Sequence, residues 1–223
     1  MSPCCLALSA TLLIAAASSA PAAPSGEELF SAHGCQSCHR IGRIGGNTGP
    51  DLSFVGIRRT GAWLDRWLEN PQAWKHSTLM PNLRLPKNDR DALVRYLSER
   101  KGQDYGDGPR PWEGMTAEGV AKGARIYRIA GCVACHGIGG AGGEPNVNTP
   151  GGAIPALRVL VSTYTPEELI RKIRRGSVPI RQDPSGPEPV AMPAWSAVLD
   201  GGEIEALVAY LRTFQSSAED RSF

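Results

Sequence analysis

Cys35-Gln36-Ser37-Cys38-His39 and Cys132-Val133-Ala134-Cys135-His136 decide how this chain folds. Both read CxxCH, the pattern of covalent c-type haem attachment. Two thiols add to the porphyrin vinyl groups, and the adjacent histidine lies under the ring with an imidazole nitrogen free for iron. Two such motifs predict two haems. Zinc is the rival reading, since Cys and His are its usual ligands. A closed zinc site needs a fourth protein ligand, and no third cysteine or spare histidine stands at a suitable spacing. A thioredoxin-type dithiol is the other rival. It leaves the paired histidines unexplained.

The chain of 223 residues has room for one large or two small domains. It holds six cysteines, four of them in the motifs and two, Cys4 and Cys5, near the start. Residues 1–22 carry no charged side chain. Leu6 to Ala17 is an apolar run, and Ala20-Pro21-Ala22 follows as an A-x-A cleavage pattern. These features predict a signal peptide over 1–22, cut near Ala22, and a periplasmic mature protein. The run is short for a membrane span, which needs about 20 residues. The mature chain is therefore expected to lack a transmembrane segment. Its remaining cysteines are spoken for, so no structural disulfide is expected.

The formal charge is +2, spread unevenly. Residues 24–103 carry twelve basic and eight acidic side chains, and residues 104–223 carry twelve and fourteen. Such asymmetry can orient a protein meeting a charged partner. No dense basic stripe with interleaved aromatics appears, which argues against a nucleic-acid partner.

Landmarks around the first motif return around the second. Ser25 and Glu28 form a capping box ahead of Leu29 and Phe30. Arg40 to Leu52 holds four glycines and Pro50 and is expected to be an irregular loop. Thr60 is placed to cap a helix with Trp63, Leu64, Trp67 and Leu68 on one face, ending near Asn70-Pro71. Met80-Pro81 follows in a loop. Asn88 or Asp89 is the expected cap of a third helix carrying Leu93, Val94 and Leu97.

Residues 102–114 are rich in Gly, Pro and Asp and read as a linker. Beyond them Gly123 and Tyr127 stand before Cys132 as Gly26 and Phe30 stand before Cys35. Pro155 answers Pro50, and Thr165 opens a helix with Leu169 and Ile173 inward. Met192-Pro193 answers Met80-Pro81, and residues 206–211 answer 92–97. The offset grows from 97 to 114 in steps that fall in loops, where added length costs little. The division is then 24–101 and 115–214, with a polar tail at 215–223. Each half is small, and a covalently held porphyrin would supply the missing core.

With its motif, Met-Pro loop and Tyr-Leu near the last helix's end, each half resembles a class I cytochrome c. The tandem is similar to exported bacterial diheme cytochromes c. That resemblance implies an all-α fold of two domains, each a few short helices around one covalent haem c. It implies cofactor binding by Cys35, Cys38, His39, Cys132, Cys135 and His136. It implies iron ligation by His39 and Met80 in one half and by His136 and Met192 in the other. A thioether favours reduced iron, and His/Met ligation fills both axial positions.

Met115 reads as a packing residue. His76 is the rival distal ligand in the first half, and His33 reads as surface. In the family the loop proline's carbonyl accepts from the ligating histidine, which implicates Pro50 and Pro155. Arg58, Arg59 and Trp63 are candidates for contact with a haem propionate. Arg171, Lys172, Arg174 and Arg175 form a basic run, either a solvated face or a dock for an acidic redox partner.

The resemblance implies an electron carrier between a redox donor and acceptor, with no catalytic side chain. Two alternatives are an electron-transfer subunit of a larger complex, such as a flavin- or metal-dependent dehydrogenase, and a diheme oxidoreductase with one catalytic haem; a membrane-bound oxidase or dehydrogenase complex is among the expected redox partners.

Overall fold

The computed structural model describes residues 22–115, 119–146, 151–177 and 190–214. Residues 1–21 of the stretch read as a signal peptide, the tail at 215–223 and the Pro-rich stretch just before Met192 lie outside the described residues. Among the described residues the fold is mostly helical, as expected, with one small hairpin.

In the first half α1 (Gly26–Ala32) starts at the capping box: Ser25 Oγ accepts from Glu28 N, and Glu28 Oε2 from Ser25 N. The loop after Cys38 is more ordered than its glycines suggest. Arg40–Ile41 (β1) pairs antiparallel with Ile44–Gly45 (β2) around a tight turn. Then come α2 (Val55–Arg58), α3 (Gly61–Glu69), α4 (Pro71–Trp74) and α5 (Lys87–Ser98). Thr60 caps α3 as expected. The α5 cap is different: the helix starts at Lys87, straight after Pro86. Proline's fixed φ suits a helix entrance, so the turn begins before Asn88 can act as a cap.

The second half repeats the plan. Its α6 (Val120–Ile126) passes through a π-turn at Tyr127–Gly131 into α7 (Val133–His136). α8 (Leu157–Thr163), α9 (Pro166–Arg175) and α10 (Gly201–Leu211) complete it. Thr165 and Glu168 form a capping box on α9, and Asp200 and Glu203 form one on α10.

The repeat has a packing cause. α1 crosses α5 at Gly26, where a Cβ would strike Ala92 O and Tyr96 Cβ. α6 crosses α10 at Gly123, where a Cβ would strike Ala206 O and Tyr210 Cβ. The glycines let two backbones approach closely, and the aromatic residues flank them. Leu29, Phe30, Leu64, Leu68, Leu93 and Leu97 form the first core. Ile126, Tyr127, Val161, Ile173, Ile204 and Leu207 belong to the second. Phe54, next to α2, is fully buried in the second core, with Tyr105 at 6.1 Å and Trp112 at 5.9 Å between ring centroids. The segment read as a linker thus contributes packed aromatics to the seam between the halves.

Candidate haem sites

Each motif lies directly after the glycine-bearing helix of its half. Cys35–Ser37 is a single 3-10 turn following α1, and His39 N bonds back to Cys35 O at 3.0 Å. His136 N makes the matching bond to Cys132 O at 2.9 Å. One helical turn therefore brings both thiols and the imidazole of each motif together.

His39 Nδ1 lies 2.8 Å from Pro50 O. A carbonyl only accepts, so Nδ1 carries the hydrogen and Nε2 is left with a free lone pair. In the second half the expected partner is not engaged. His136 Nδ1 is buried and has no hydrogen-bond partner among the described residues. The longer glycine-rich loop takes Pro155 elsewhere: Gly142 N bonds His136 O at 2.7 Å, and Gly142 packs on Ile154 and Pro155. Burial pushes the His136 pKa down to about 4, so the ring is neutral, as an iron ligand must be. Burial pushes the Cys132 thiol up to about 12, with the Arg58 guanidinium opposing.

Met80 packs half-buried on the first core, and its Sδ accepts from Trp67 Nε1 at 3.0 Å. Trp67 stacks on Trp63 with centroids 5.1 Å apart, and Arg59 lies 4.0 Å above the Trp63 ring. Met192 packs on the second core, held by a bridge in which Ser177 N donates to Met192 O at 2.9 Å. Met115 packs on the same core. His76 is exposed, and His33 is half-buried with Nε2 2.9 Å from Asp89 Oδ2. Among the described residues no group of three or more His, Cys, Asp or Glu is disposed to hold a metal ion unaided.

A family model for cytochrome c matches residues 23–101, and a model described as cytochrome c oxidase, cbb3-type, subunit III matches residues 118–211. The chain carries two cytochrome c-type domains in tandem. No curated protein and no solved structure matches the chain. The two matches support an electron-transfer haem protein, since cytochrome c domains hold haem c covalently.

The residues present fit that group. The first domain offers a correctly polarised imidazole and an oriented thioether, and the second a neutral buried imidazole and a pinned methionine. When bound, haem takes up and releases one electron at its iron. The chain's own residues orient the side chains that would hold it: the Pro50 carbonyl fixes the His39 tautomer, and Trp67 Nε1 donates to the Met80 sulfur.

Sequence reasoning missed the seam. Arg59 Nη2 pairs with Glu144 Oε1 at 3.1 Å, and Lys75 Nζ with Glu144 Oε2 at 3.0 Å. Arg43 Nη2 donates to Pro109 O at 2.8 Å. Arg58, at the end of α2, reaches the second domain's motif. Nothing in the local pattern marks Glu144 as their partner, because the pairing spans the whole domain boundary. The basic run lies in the last turns of α9, where it complements the helix dipole.

Proposed function

We propose that the protein is an exported diheme cytochrome c that carries electrons between a membrane or periplasmic donor and an oxidase or reductase. The observation that carries this reading is the repetition, on two cores, of the same ordered set: CxxCH, then a methionine packed on that core. His39 and Met80 would close one iron, and His136 and Met192 the other. Held in this way, each site would exchange electrons with little geometric change and would offer no open position to a substrate. Among the described residues no helix is long and apolar enough to cross a membrane.

Intact mass of the protein made in a host with c-type maturation tests the cofactor count. Two added haems and a start after Ala22 are expected, and a mass with one haem or none overturns the diheme reading. Met80→Ala and Met192→Ala should each remove part of the thioether-to-iron charge-transfer band. Its survival in the double variant refutes methionine ligation.

A second reading is favoured by the match of residues 118–211 to a model described as an oxidase subunit. In it the chain is the electron-transfer subunit of an oxidase complex. Stable co-purification with an oxidase from native membranes supports that reading, and recovery of the free protein alone supports the carrier.

A further inference from the structure

α3 and α9 are the same helix of the repeat. Aligned on their caps, Thr60 and Thr165, they bury the same two positions: Leu64 with Leu68, and Leu169 with Ile173. Their solvent sides differ. Arg66 and Arg171 correspond, but where α3 has Trp67, Glu69 and Asn70, α9 has Lys172, Arg174 and Arg175. The shared core does not call for these three cations, since α3 builds the same helix without them.

Arg171, Lys172, Arg174 and Arg175 are all exposed, and among the described residues none of the four side chains forms an ion pair or hydrogen bond. First-domain cations are placed differently. Arg90 pairs with Asp65 at 2.6 Å, Lys87 with Asp91 at 2.7 Å and Arg100 with Asp104 at 2.6 Å. On α9, Arg171 stands three and four residues before Arg174 and Arg175, a spacing at which like charges on a helix repel. The helix dipole offsets part of that repulsion in the last turn only.

The basic end of α9 adjoins the Met192 segment. Gly176, directly after Arg175, has φ +65° and packs against Met192 O and the Pro193 carbonyl. Ser177 N donates to Met192 O at 2.9 Å, and Ser196 Oγ donates to Arg174 O at 2.9 Å. A body held by these cations therefore sits beside the second domain's proposed distal ligand. Leu169 and Ile173 are buried, and no large exposed hydrophobic side chain lies on α9. A helix that lies in a membrane surface needs an apolar face free beside its cations. Cations alone suit a carboxylate-rich protein face, drawn in by charge and soon released.

We propose that the solvent side of α9 docks an acidic redox protein, which makes the two halves unequal: this partner exchanges its electron with the second haem site. The inference rests on the diheme reading above and names the partner of one of its two sites. One electron passes between the partner's redox centre and the second site, each changing by one oxidation step; no bond forms or breaks and no proton moves.

A reduced plant-type [2Fe–2S] ferredoxin is the probe, an acidic one-electron donor of low potential. Stopped-flow absorbance follows its reduction of the oxidised full-length holoprotein. The quadruple variant Arg171→Gln/Lys172→Gln/Arg174→Gln/Arg175→Gln should be reduced about tenfold or more slowly than wild type at about 10 mM salt. The gap should shrink to about twofold or less at about 0.5 M salt, where exposed charges are screened within a few ångströms. Arg66→Gln/Lys87→Gln/Arg95→Gln/Lys101→Gln removes as many exposed cations from the first domain and should slow the reaction by about threefold at most. Equal slowing by the two sets, or a gap that salt does not close, overturns the proposal. Reduction by hexaammineruthenium(II), a cation, should not slow in the α9 variant. Should it slow, Arg171→Gln/Arg175→Gln decides instead: slowing with ferredoxin alone supports the dock, and slowing with both reductants or neither overturns it. An unchanged ferredoxin rate, with binding to phosphatidylglycerol vesicles lost in the quadruple variant, overturns the protein partner in favour of a membrane surface. A wild-type mass with fewer than two haems would instead defeat the diheme reading. Calorimetric titration of oxidised ferredoxin into wild type and the same variants then decides the dock, with weaker binding expected in the α9 set and equal binding overturning it.

Discussion

Trp67 Nε1 donates a hydrogen bond to Met80 Sδ across 3.0 Å. Behind it run Trp63, Arg59 and Glu144, stacked or paired in turn, so the first domain's proposed iron ligand is braced from the second domain. Thioether sulfur is a weak acceptor, and the contact occupies one of its lone pairs.

Removing the donor should lower the first site's potential. An N–H on the sulfur draws electron density from it and disfavours the more positive, oxidised iron. Trp67→Phe keeps a ring against Trp63 but loses the donor. The expected change is about 0.5–1.5 kcal/mol in the one-electron equilibrium, the net scale of one hydrogen bond. Redox titration checks it. A first-site potential that rises or stays put shows that the contact does not act on the ligand.

Glu144 should matter more to stability than either of its partners' exposure suggests. The Arg59 side chain is 5% exposed and that of Glu144 11%, whereas that of Lys75 is 41%. Glu144→Gln leaves Arg59 buried and without its counter-charge, at a cost of roughly 3 kcal/mol. Lys75→Ala removes a solvent-screened pair and should cost under about 1 kcal/mol. Urea unfolding followed at the haem absorbance separates the two. Equal small losses would mean that the Arg59 pair contributes little.

Trp112 anchors the segment between the domains. It is fully buried, and its Nε1 donates to Glu203 Oε1 at 2.6 Å. Glu203 Oε2 also accepts from Asp200 N and lies 3.3 Å from Arg110 Nη1, so the buried carboxylate at the start of α10 has three donors. Trp112→Phe removes one of them and part of the ring, and should destabilise the protein by about 1–3 kcal/mol. Trp112→Ala should cost about 3–5 kcal/mol. A melt unchanged by either substitution would place this residue outside the cooperative unit.

Trp112 also shows where the sequence stopped being legible. Residues 102–114 have the Gly, Pro and Asp content of a linker, and local composition says nothing of a tryptophan's distant partner. Helix faces were readable because their signal is periodic: Leu64 and Leu68, Leu93 and Leu97, and Leu169 and Ile173 are all buried where their spacing put them. Capping boxes at Ser25 and Thr165 were readable because their partner lies three residues away. The His39 to Pro50 bond followed from resemblance, and its counterpart failed because the inserted glycines rerouted the second loop. Arg58 on Gly131 and Arg59 on Glu144 are contacts across the seam, with no periodic trace.

Tyr105 should make the protein sensitive to alkali. It is 5% exposed, and its hydroxyl donates to Ser53 Oγ at 3.2 Å, beside the Asp51 carboxylate. Burial pushes its pKa up to about 12, against about 10 for a phenol in an unfolded chain. The unfolded state therefore loses this proton first as pH rises. The stability that depends on the neutral phenol is complete below about pH 10 and is lost between about pH 10 and 12. Allowing for the phenol's partial contact with solvent, the loss should reach roughly 1–2 kcal/mol. Tyr105→Phe cannot ionise. It should be less stable than wild type at pH 8, by about one hydrogen bond, and the two should converge or cross by pH 12. Urea unfolding of both proteins across that range measures the difference, and parallel curves would mean that Tyr105 titrates alike in the folded and unfolded chains.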